Sequence, residues 1–130
     1  MINQQDIGVI LEDYDQMKLR IGMTASHSAL DICDGAIEEG FPTVAYCQSG
    51  REKLYSEYFR TQRSSTGRIK RGMVDKAVTL ERFDGILNPQ FQSAMRDRNM
   101  IFIPNRAFTS YCNIDAIEND FKIPMFGSRN

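Results

Sequence analysis

The sequence predicts an α/β fold built on an open, mostly parallel sheet. Short, largely apolar segments alternate with segments that carry apolar residues at helical spacing. The stretch from Leu19 to Cys47 contains one strand–helix–strand unit of the size typical of a right-handed parallel crossover. A later segment, Met100–Pro104, is apolar on both faces, as expected of a parallel strand covered by helices on both sides.

Composition limits the function classes. A chain of 130 residues with 42% hydrophobic and 25% charged residues fits one soluble globular domain. A formal net charge of −1 provides no overall field suited to nucleic acid or to a membrane. No apolar run approaches the roughly 20 residues of a membrane span, and the polar, acidic N-terminus does not resemble a secretory signal. We therefore predict a cytoplasmic protein with neither nucleic acid nor membrane as partner.

The three cysteines, Cys33, Cys47 and Cys112, are widely spaced and form no C-x-x-C pair. The sequence also contains a single histidine. These features argue against a structural zinc site and predict three reduced thiols.

The first half of the chain supplies the crossover unit. Apolar residues at helical spacing predict a helix over Gln4–Tyr14, and Leu19–Thr24 follows as a strand. The next helix carries its apolar stripe from Ala29 to Ile37, and Gly40 stands where a helix-ending glycine is expected. Pro42–Cys47, rich in residues with high strand propensity, is the second strand.

The second half continues the alternation. Arg60–Gly72 contains five basic residues, no acidic residue and no apolar periodicity, and it predicts an exposed, mobile loop. A helix begins at Asn88-Pro89, with proline at its tolerated first position, and ends near Asn99. The other predicted elements are a short helix at Glu52–Phe59, strands at Val74–Leu80, Met100–Pro104 and Lys122–Phe126, a loop at Asn105–Tyr111 and a short helix at Ile114–Asn119.

Ligands of open parallel sheets bind at the carboxyl ends of the strands, which selects three loops. The first, Ala25–Ser28, opens a helix whose N-terminal N–H groups suit an anion. Ser26 and Ser28 add hydroxyl donors, and His27 can donate to a phosphate or a base edge. The same residues also fit a plain N-cap with a surface histidine. No G-x-G-x-x-G motif is present.

The second and third loops carry other polar groups. Gln48–Lys53 offers Arg51 and Lys53 for phosphate or carboxylate, and it equally fits a solvated helix start. Asn105–Tyr111 offers amide and hydroxyl groups that could bind the edge of a heterocycle, and it equally fits a polar turn. The basic run Arg60–Arg71 has no interleaved aromatic residue for base stacking, so a solvated loop is favoured there. No catalytic set of residues emerges.

Several motifs in fixed order resemble a known family over residues 5 to 130. They are Ser26-His27-Ser28-Ala29-Leu30-Asp31, Asp34-Gly35-Ala36, Glu39-Gly40-Phe41, Gly50-Arg51-Glu52-Lys53 with Tyr55, Phe102-Ile103-Pro104, Ile117-Glu118-Asn119 and Ile123-Pro124-Met125-Phe126-Gly127. The sequence is similar to the formate-dependent 5-formaminoimidazole-4-carboxamide ribonucleotide synthetases of archaeal IMP biosynthesis.

This resemblance implies that residues 1–130 form an N-terminal, Rossmann-like domain of the kind that precedes an ATP-grasp domain. It implies a carbon–nitrogen ligase that uses ATP, formate and the aminoimidazole carboxamide ribonucleotide, with formate activated as formyl phosphate and then attacked by the amine. ATP and magnesium would be bound mainly by the ATP-grasp domain, which this chain lacks, so we expect the chain alone to be inactive. A homo-oligomer also fits the resemblance.

The resemblance assigns residues as well. His27 matches a family histidine that contacts the ribonucleotide. The family pattern Pro-His-Gly-Ser-Phe aligns with Pro104-Asn105-Arg106-Ala107-Phe108, so Ala107 occupies the position of a contacting serine. The expected substrate-binding set is Ser26, His27, Ser28, Arg51, Lys53 and Ala107.

Two alternatives remain at the level of sequence. One is a non-catalytic nucleotide-binding or interaction module that reuses the fold, which Ala107 and the missing half would explain. The other is a flavodoxin-like or response-regulator-like domain, but no acidic pair follows the first strand.

Overall fold

The computed structural model describes residues 2, 4–25, 29–50, 52–66, 68–105, 108, 112 and 114–125. The strands in this part of the chain are β1 (Arg20–Thr24), β2 (Thr43–Gln48), β3 (Gln62–Arg63), β4 (Ile69–Arg71), β5 (Lys76–Leu80) and β6 (Met100–Phe102). The α-helices are α1 (Gln4–Glu12), α2 (Ala29–Glu38), α3 (Pro89–Asp97) and α4 (Ile114–Asp120). Single turns of 3₁₀ helix lie at Gln16–Lys18 and Phe83–Leu87, and a π-helical turn lies at Leu54–Tyr58.

Four strands form one parallel sheet in the order β5-β2-β1-β6. The predicted α/β class with an open parallel sheet is confirmed. Counted along the chain, these are the third, second, first and fourth strands of the sheet. That is the order in the first part of a doubly wound dinucleotide-binding sheet, and it differs from the 2-1-3 start of the flavodoxin-like order.

Apolar side chains cover both faces of the sheet. One face packs against α2 through a stripe in which Ala29, Cys33 and Ala36 are buried. The other face packs against α3, α4 and the turn at Phe83–Leu87. Strand residues alternate between the two faces, as the two-residue period of a strand requires, so helices cover the sheet on both sides.

Three phenylalanine rings form the centre of the second face. The centroid of the Phe102 ring in β6 lies 4.7 Å from that of Phe108 and 5.2 Å from that of Phe121. The Phe108 and Phe121 centroids lie 5.0 Å apart, and all three side chains are completely buried. Tilted and edge-on rings at such distances are favourable beyond the area they bury. The cluster fastens two later segments of the chain onto β6.

Helix-end signals in the sequence correspond to hydrogen-bonded caps. Past the end of α2, Gly40 adopts φ +84°. The N–H of Gly40 donates to Ile37 O at 3.0 Å, and that of Phe41 donates to Ala36 O at 2.9 Å. These two bonds define a Schellman motif, which favours glycine at this position. At the start of α3, Asn88 accepts from the N–H of Gln90 at 2.9 Å. Both predicted helix ends are confirmed.

Residues 60–72 were predicted to form an exposed, mobile loop; most of the described residues are exposed as predicted, but the segment contains two paired strands. Strands β3 and β4 pair antiparallel within it, and Arg60 forms a parallel bridge with Val74. The Arg63 guanidinium contacts a carboxylate oxygen of Asp75 at 2.6 Å. The two strands are only two and three residues long and carry no apolar alternation, so a search for periodicity does not detect them.

Residues 122–125, the described part of the fifth predicted strand Lys122–Phe126, form no continuous strand. In this stretch a single bridge pairs Met125 with Phe102, and the N–H of Phe102 donates to Pro124 O at 2.8 Å. Phe126 lies outside the described residues. The third strand of the sheet begins at Lys76 rather than at Val74, and the turn at Phe83–Leu87 was not predicted.

All three cysteines are buried, and none of them is in a disulfide. Burial raises the pKa of Cys33 to about 12 and that of Cys47 and Cys112 to about 11. These thiols therefore stay protonated near neutral pH. In the described part of the chain, no helix is both long enough and apolar enough to cross a membrane.

The raised thiol pKa values predict a loss of stability in alkali. A thiol in an unfolded chain has a pKa of about 8.5, so above that pH only the unfolded state loses its protons, until the folded-state values are reached. Between pH 7.5 and pH 9.5 we expect the free energy of unfolding, measured by urea denaturation, to fall by about 1 kcal/mol per thiol. Cys33→Ala should make this fall smaller by about 1 kcal/mol, the contribution of one thiol. An unchanged pH dependence in that variant would contradict the raised pKa of Cys33.

Two glycines should respond oppositely to alanine. Gly72 adopts φ +83°, and a Cβ there would collide with the backbone carbonyl of Arg60. Gly35 lies on the exposed side of α2 with open space around its Cα. We expect Gly72→Ala to lower the free energy of unfolding by about 1–3 kcal/mol. Gly35→Ala should raise it by up to about 1 kcal/mol. Thermal and urea denaturation test this, and equal effects would refute the conformation described for Gly72.

Candidate functional site

The candidate site lies at the carboxyl edge of the sheet, where β1 and β6 end side by side. The chain leaves β1 towards α2 on one face, and it leaves β6 towards α4 on the other. Connections therefore diverge to opposite faces at this pair of strands. Such a switch point opens a crevice outside the strand ends, which is where ligands of doubly wound sheets bind.

A side-chain clamp joins the two strand ends. The Asn105 amide nitrogen donates to Thr24 O at 2.7 Å. The Thr24 hydroxyl donates to Asn105 Oδ1 at 2.5 Å, and the backbone N–H of Phe108 donates to the same oxygen at 3.2 Å. One amide thus uses both its donor and its acceptor to hold the end of β1 against the loop that follows β6.

Thr24 was not among the predicted site residues. Its side chain is completely buried at the end of a strand whose other buried members are Ile21, Gly22 and Met23. A threonine that closes an apolar strand was the available signal, since a buried hydroxyl needs a hydrogen-bond partner. Asn105 was named only as one of several polar residues in its loop, and the structure singles it out.

Most of the predicted binding residues lie outside the described part of the chain. Ser26, His27 and Ser28 belong to this group, as do Arg51 and Ala107. The described residues next to them fix where their segments begin and end. The N–H of Ala25 donates to Tyr46 O at 2.8 Å, and α2 begins at the completely buried Ala29. The Ser26–Ser28 segment therefore connects the clamped end of β1 to the first turn of α2.

The loop after β2 reaches the same edge of the sheet. The N–H of Ser49 donates to Leu80 O at 2.6 Å, which ties the end of β2 to the end of β5. The N–H of Gly50 donates to the Glu52 carboxylate at 2.7 Å. Lys53 is exposed to solvent and pairs with no carboxylate among the described residues. Its ammonium group is therefore available to an incoming anion.

The described residues show no metal site. Among them, no group of three histidine, cysteine, aspartate or glutamate side chains is placed to hold a metal ion. We therefore assign no metal ligand among the described residues.

A family model described as a protein of unknown function (DUF1246) matches residues 21–130. The chain belongs to the DUF1246 family. The match includes β1 from Ile21 onward, α2 and β6, and thus the strand ends that form the carboxyl edge around the clamp.

Curated relatives match nearly the whole chain. A protein of Methanopyrus kandleri is 36% identical and one of Methanobrevibacter smithii is 34% identical, each over 129 residues, or 99% of this chain. Both are named 5-formaminoimidazole-4-carboxamide-1-(beta)-D-ribofuranosyl 5'-monophosphate synthetase. The chain spans 32% of the length of these relatives.

A solved structure is similar as well. The crystal structure of an IMP biosynthesis protein, PurP, from Thermococcus kodakaraensis superposes with a TM-score of 0.60 at 32% sequence identity. The superposition covers 85% of this chain and 30% of that one. Together with the curated relatives, it confirms the resemblance inferred from the ordered motifs.

The clamp predicts a specific order of stabilities. Asn105→Asp replaces the amide donor by an acceptor facing Thr24 O, so we expect the free energy of unfolding to fall by about 1–3 kcal/mol. Thr24→Val removes one hydrogen bond and should cost about 1 kcal/mol. Thr79→Val on the exposed side of β5 is the matched control and should change stability by at most about 0.5 kcal/mol. Urea denaturation ranks the three, and a Thr24 variant as stable as the Thr79 variant would argue against the clamp.

Proposed function

We propose that this chain is the Rossmann-like, ribonucleotide-binding domain of an ATP-dependent carbon–nitrogen ligase of purine biosynthesis. Its substrates would be the aminoimidazole carboxamide ribonucleotide and formate. The clamp between Thr24 and Asn105 carries the proposal. It holds together the two loops in which the family resemblance places its ribonucleotide contacts, His27 and the stretch aligned at Ala107.

Each candidate residue has a chemical role in this proposal. Ser26 and Ser28 flank His27 just before the first turn of α2, where N–H groups and the helix dipole favour a phosphate. His27 contacts the ribonucleotide as a hydrogen-bond donor. Arg51 and Lys53, in the loop after β2, neutralise phosphate or formate. At Ala107 a methyl group replaces the hydroxyl of the family serine, so this chain makes one polar contact fewer.

The reaction requires activation of formate before the new C–N bond forms. A formate oxygen attacks the terminal phosphorus of ATP, which yields formyl phosphate and ADP. The ribonucleotide amine then attacks the formyl carbon, phosphate leaves and the nitrogen loses a proton. The domain described here contributes binding and orientation of the amine, because near-attack placement alone lowers the barrier substantially. ATP and magnesium would be held by an ATP-grasp domain of the whole protein.

His27 should matter for the ribonucleotide and not for ATP. In the full-length protein we expect His27→Ala to weaken ribonucleotide binding by roughly tenfold or more, since a hydrogen bond to a charged group is lost. ATP affinity should stay unchanged, and Gln90→Ala on the exposed side of α3 should alter neither. Isothermal titration calorimetry measures all three.

The same titration also tests a substitution that should tighten ribonucleotide binding. Ala107→Ser restores the family hydroxyl and should tighten ribonucleotide binding by roughly two- to tenfold. An unchanged ribonucleotide affinity in His27→Ala would eliminate the contact proposed for His27. If the wild-type protein does not bind the ribonucleotide at all, the chain is instead a non-catalytic module on the same fold.

A further inference from the structure

A second cleft opens at the amino edge of the sheet, opposite the candidate site. It has a volume of about 830 Å³, within the range typical of small-molecule sites. Its charged lining residues are Arg20, Arg60, Arg63, Asp75, Lys76 and Arg98. We call this cleft, with these six residues, the basic cleft.

Sheet register brings the basic residues together from separate parts of the chain. Arg20 begins β1 and pairs with Met100, while Lys76 begins β5 and pairs with Val44. Met100 and Val44 both belong to the core against α3, so Arg20 and Lys76 lie on that same face. They are separated by two strand spacings, roughly 10 Å. Arg98 is the C-cap residue of α3, the helix that covers this face, and it also lines the cleft.

The single acidic residue of the cleft is already engaged. One oxygen of Asp75 contacts the Arg63 guanidinium at 2.6 Å, and the other accepts from the N–H of Thr43 at 2.9 Å. The N–H of Asp75 in turn donates to the Thr43 hydroxyl at 3.0 Å. This carboxylate therefore holds the base of the cleft and neutralises Arg63.

Four cations that line the cleft have no acidic partner among the described residues. Among the described residues, ion pairs join only Arg63 to Asp75 and Arg82 to Asp84, so neither pair involves Arg20, Arg60, Lys76 or Arg98. Desolvation lowers the pKa of Lys76, and repulsion from Arg98, Arg20 and Arg60 lowers it further. The chain as a whole has a net charge of −1, so this concentration of positive charge is local.

From this geometry we infer that the basic cleft binds a small molecule that carries two or more linked phosphate groups. Guanidinium forks hold phosphate oxygens in pairs, and three arginines with one lysine can contact several phosphates at once. The rest of the described lining consists of Gly40, Pro42, Thr43, Val44 and Ala77. Because none of these side chains is aromatic, the cleft fits a compact polyanion better than a nucleic acid strand.

This inference does not rest on the proposed function, since it concerns the opposite edge of the sheet and different residues. Its test is isothermal titration calorimetry of the purified protein with pyrophosphate and tripolyphosphate as probes. We expect both to bind, and tripolyphosphate to bind more tightly than orthophosphate. Arg20→Gln combined with Arg98→Gln should weaken tripolyphosphate binding by roughly tenfold or more. Arg82→Gln removes an exposed arginine outside the cleft and should leave that affinity unchanged.

A second measurement does not depend on how well the variants fold. Titration of the wild-type protein with tripolyphosphate, followed by amide NMR, should shift the signals of Thr43 and Ala77 more than that of Ala25. Failure of both probes to bind at millimolar concentration would overturn the inference, as would shifts confined to Ala25 and its neighbours. Equal weakening in Arg82→Gln, or tighter binding of a short single-stranded oligonucleotide than of tripolyphosphate, would overturn it too.

Discussion

The mutual packing of three phenylalanine rings is the constraint on which the carboxyl edge of this domain depends. Phe102 lies in β6, Phe108 is a helical residue in the segment that follows, and Phe121 lies just beyond α4. Asn105 stands between the first two rings in sequence, so fixing both rings limits where its amide can lie. The buried rings thereby position the polar clamp to Thr24, and the clamp positions the loops that would hold a ligand.

Local sequence signals predicted the elements whose ends are determined locally. Gly40 ends α2 and Asn88 begins α3 through hydrogen bonds to residues within a few positions, so short patterns were sufficient. The hairpin of β3 and β4 was missed because its strands are two and three residues long and carry no apolar alternation. Its anchorage to Asp75 is a tertiary contact between polar groups, which no periodicity records.

The candidate site and the basic cleft also depend on contacts between residues that are far apart in the sequence. Parallel topology was enough to select the loops at the carboxyl edge, because strand ends converge there in any open parallel sheet. Thr24 and Asn105 are 81 residues apart, and their pairing becomes visible only with the register of β1 and β6. The basic run Arg60–Arg71 was predicted to be a solvated loop. The structure instead directs Arg60 and Arg63 towards Arg20 and Lys76, so the cleft combines charges from distant segments.

Pro124 and Met125, which lie beside β6 at the edge of the sheet, have a consequence for solubility. An uncovered outer strand presents free N–H and C=O groups on which another chain can add a strand, which is a common route to aggregation. Here the outward N–H of Phe102 donates to Pro124 O, and Met125 forms a bridge with Phe102. Proline has no N–H to offer to a further strand. Pro124 and Met125 thus cover the β6 side of the sheet at Phe102 and protect that position from edge-to-edge growth.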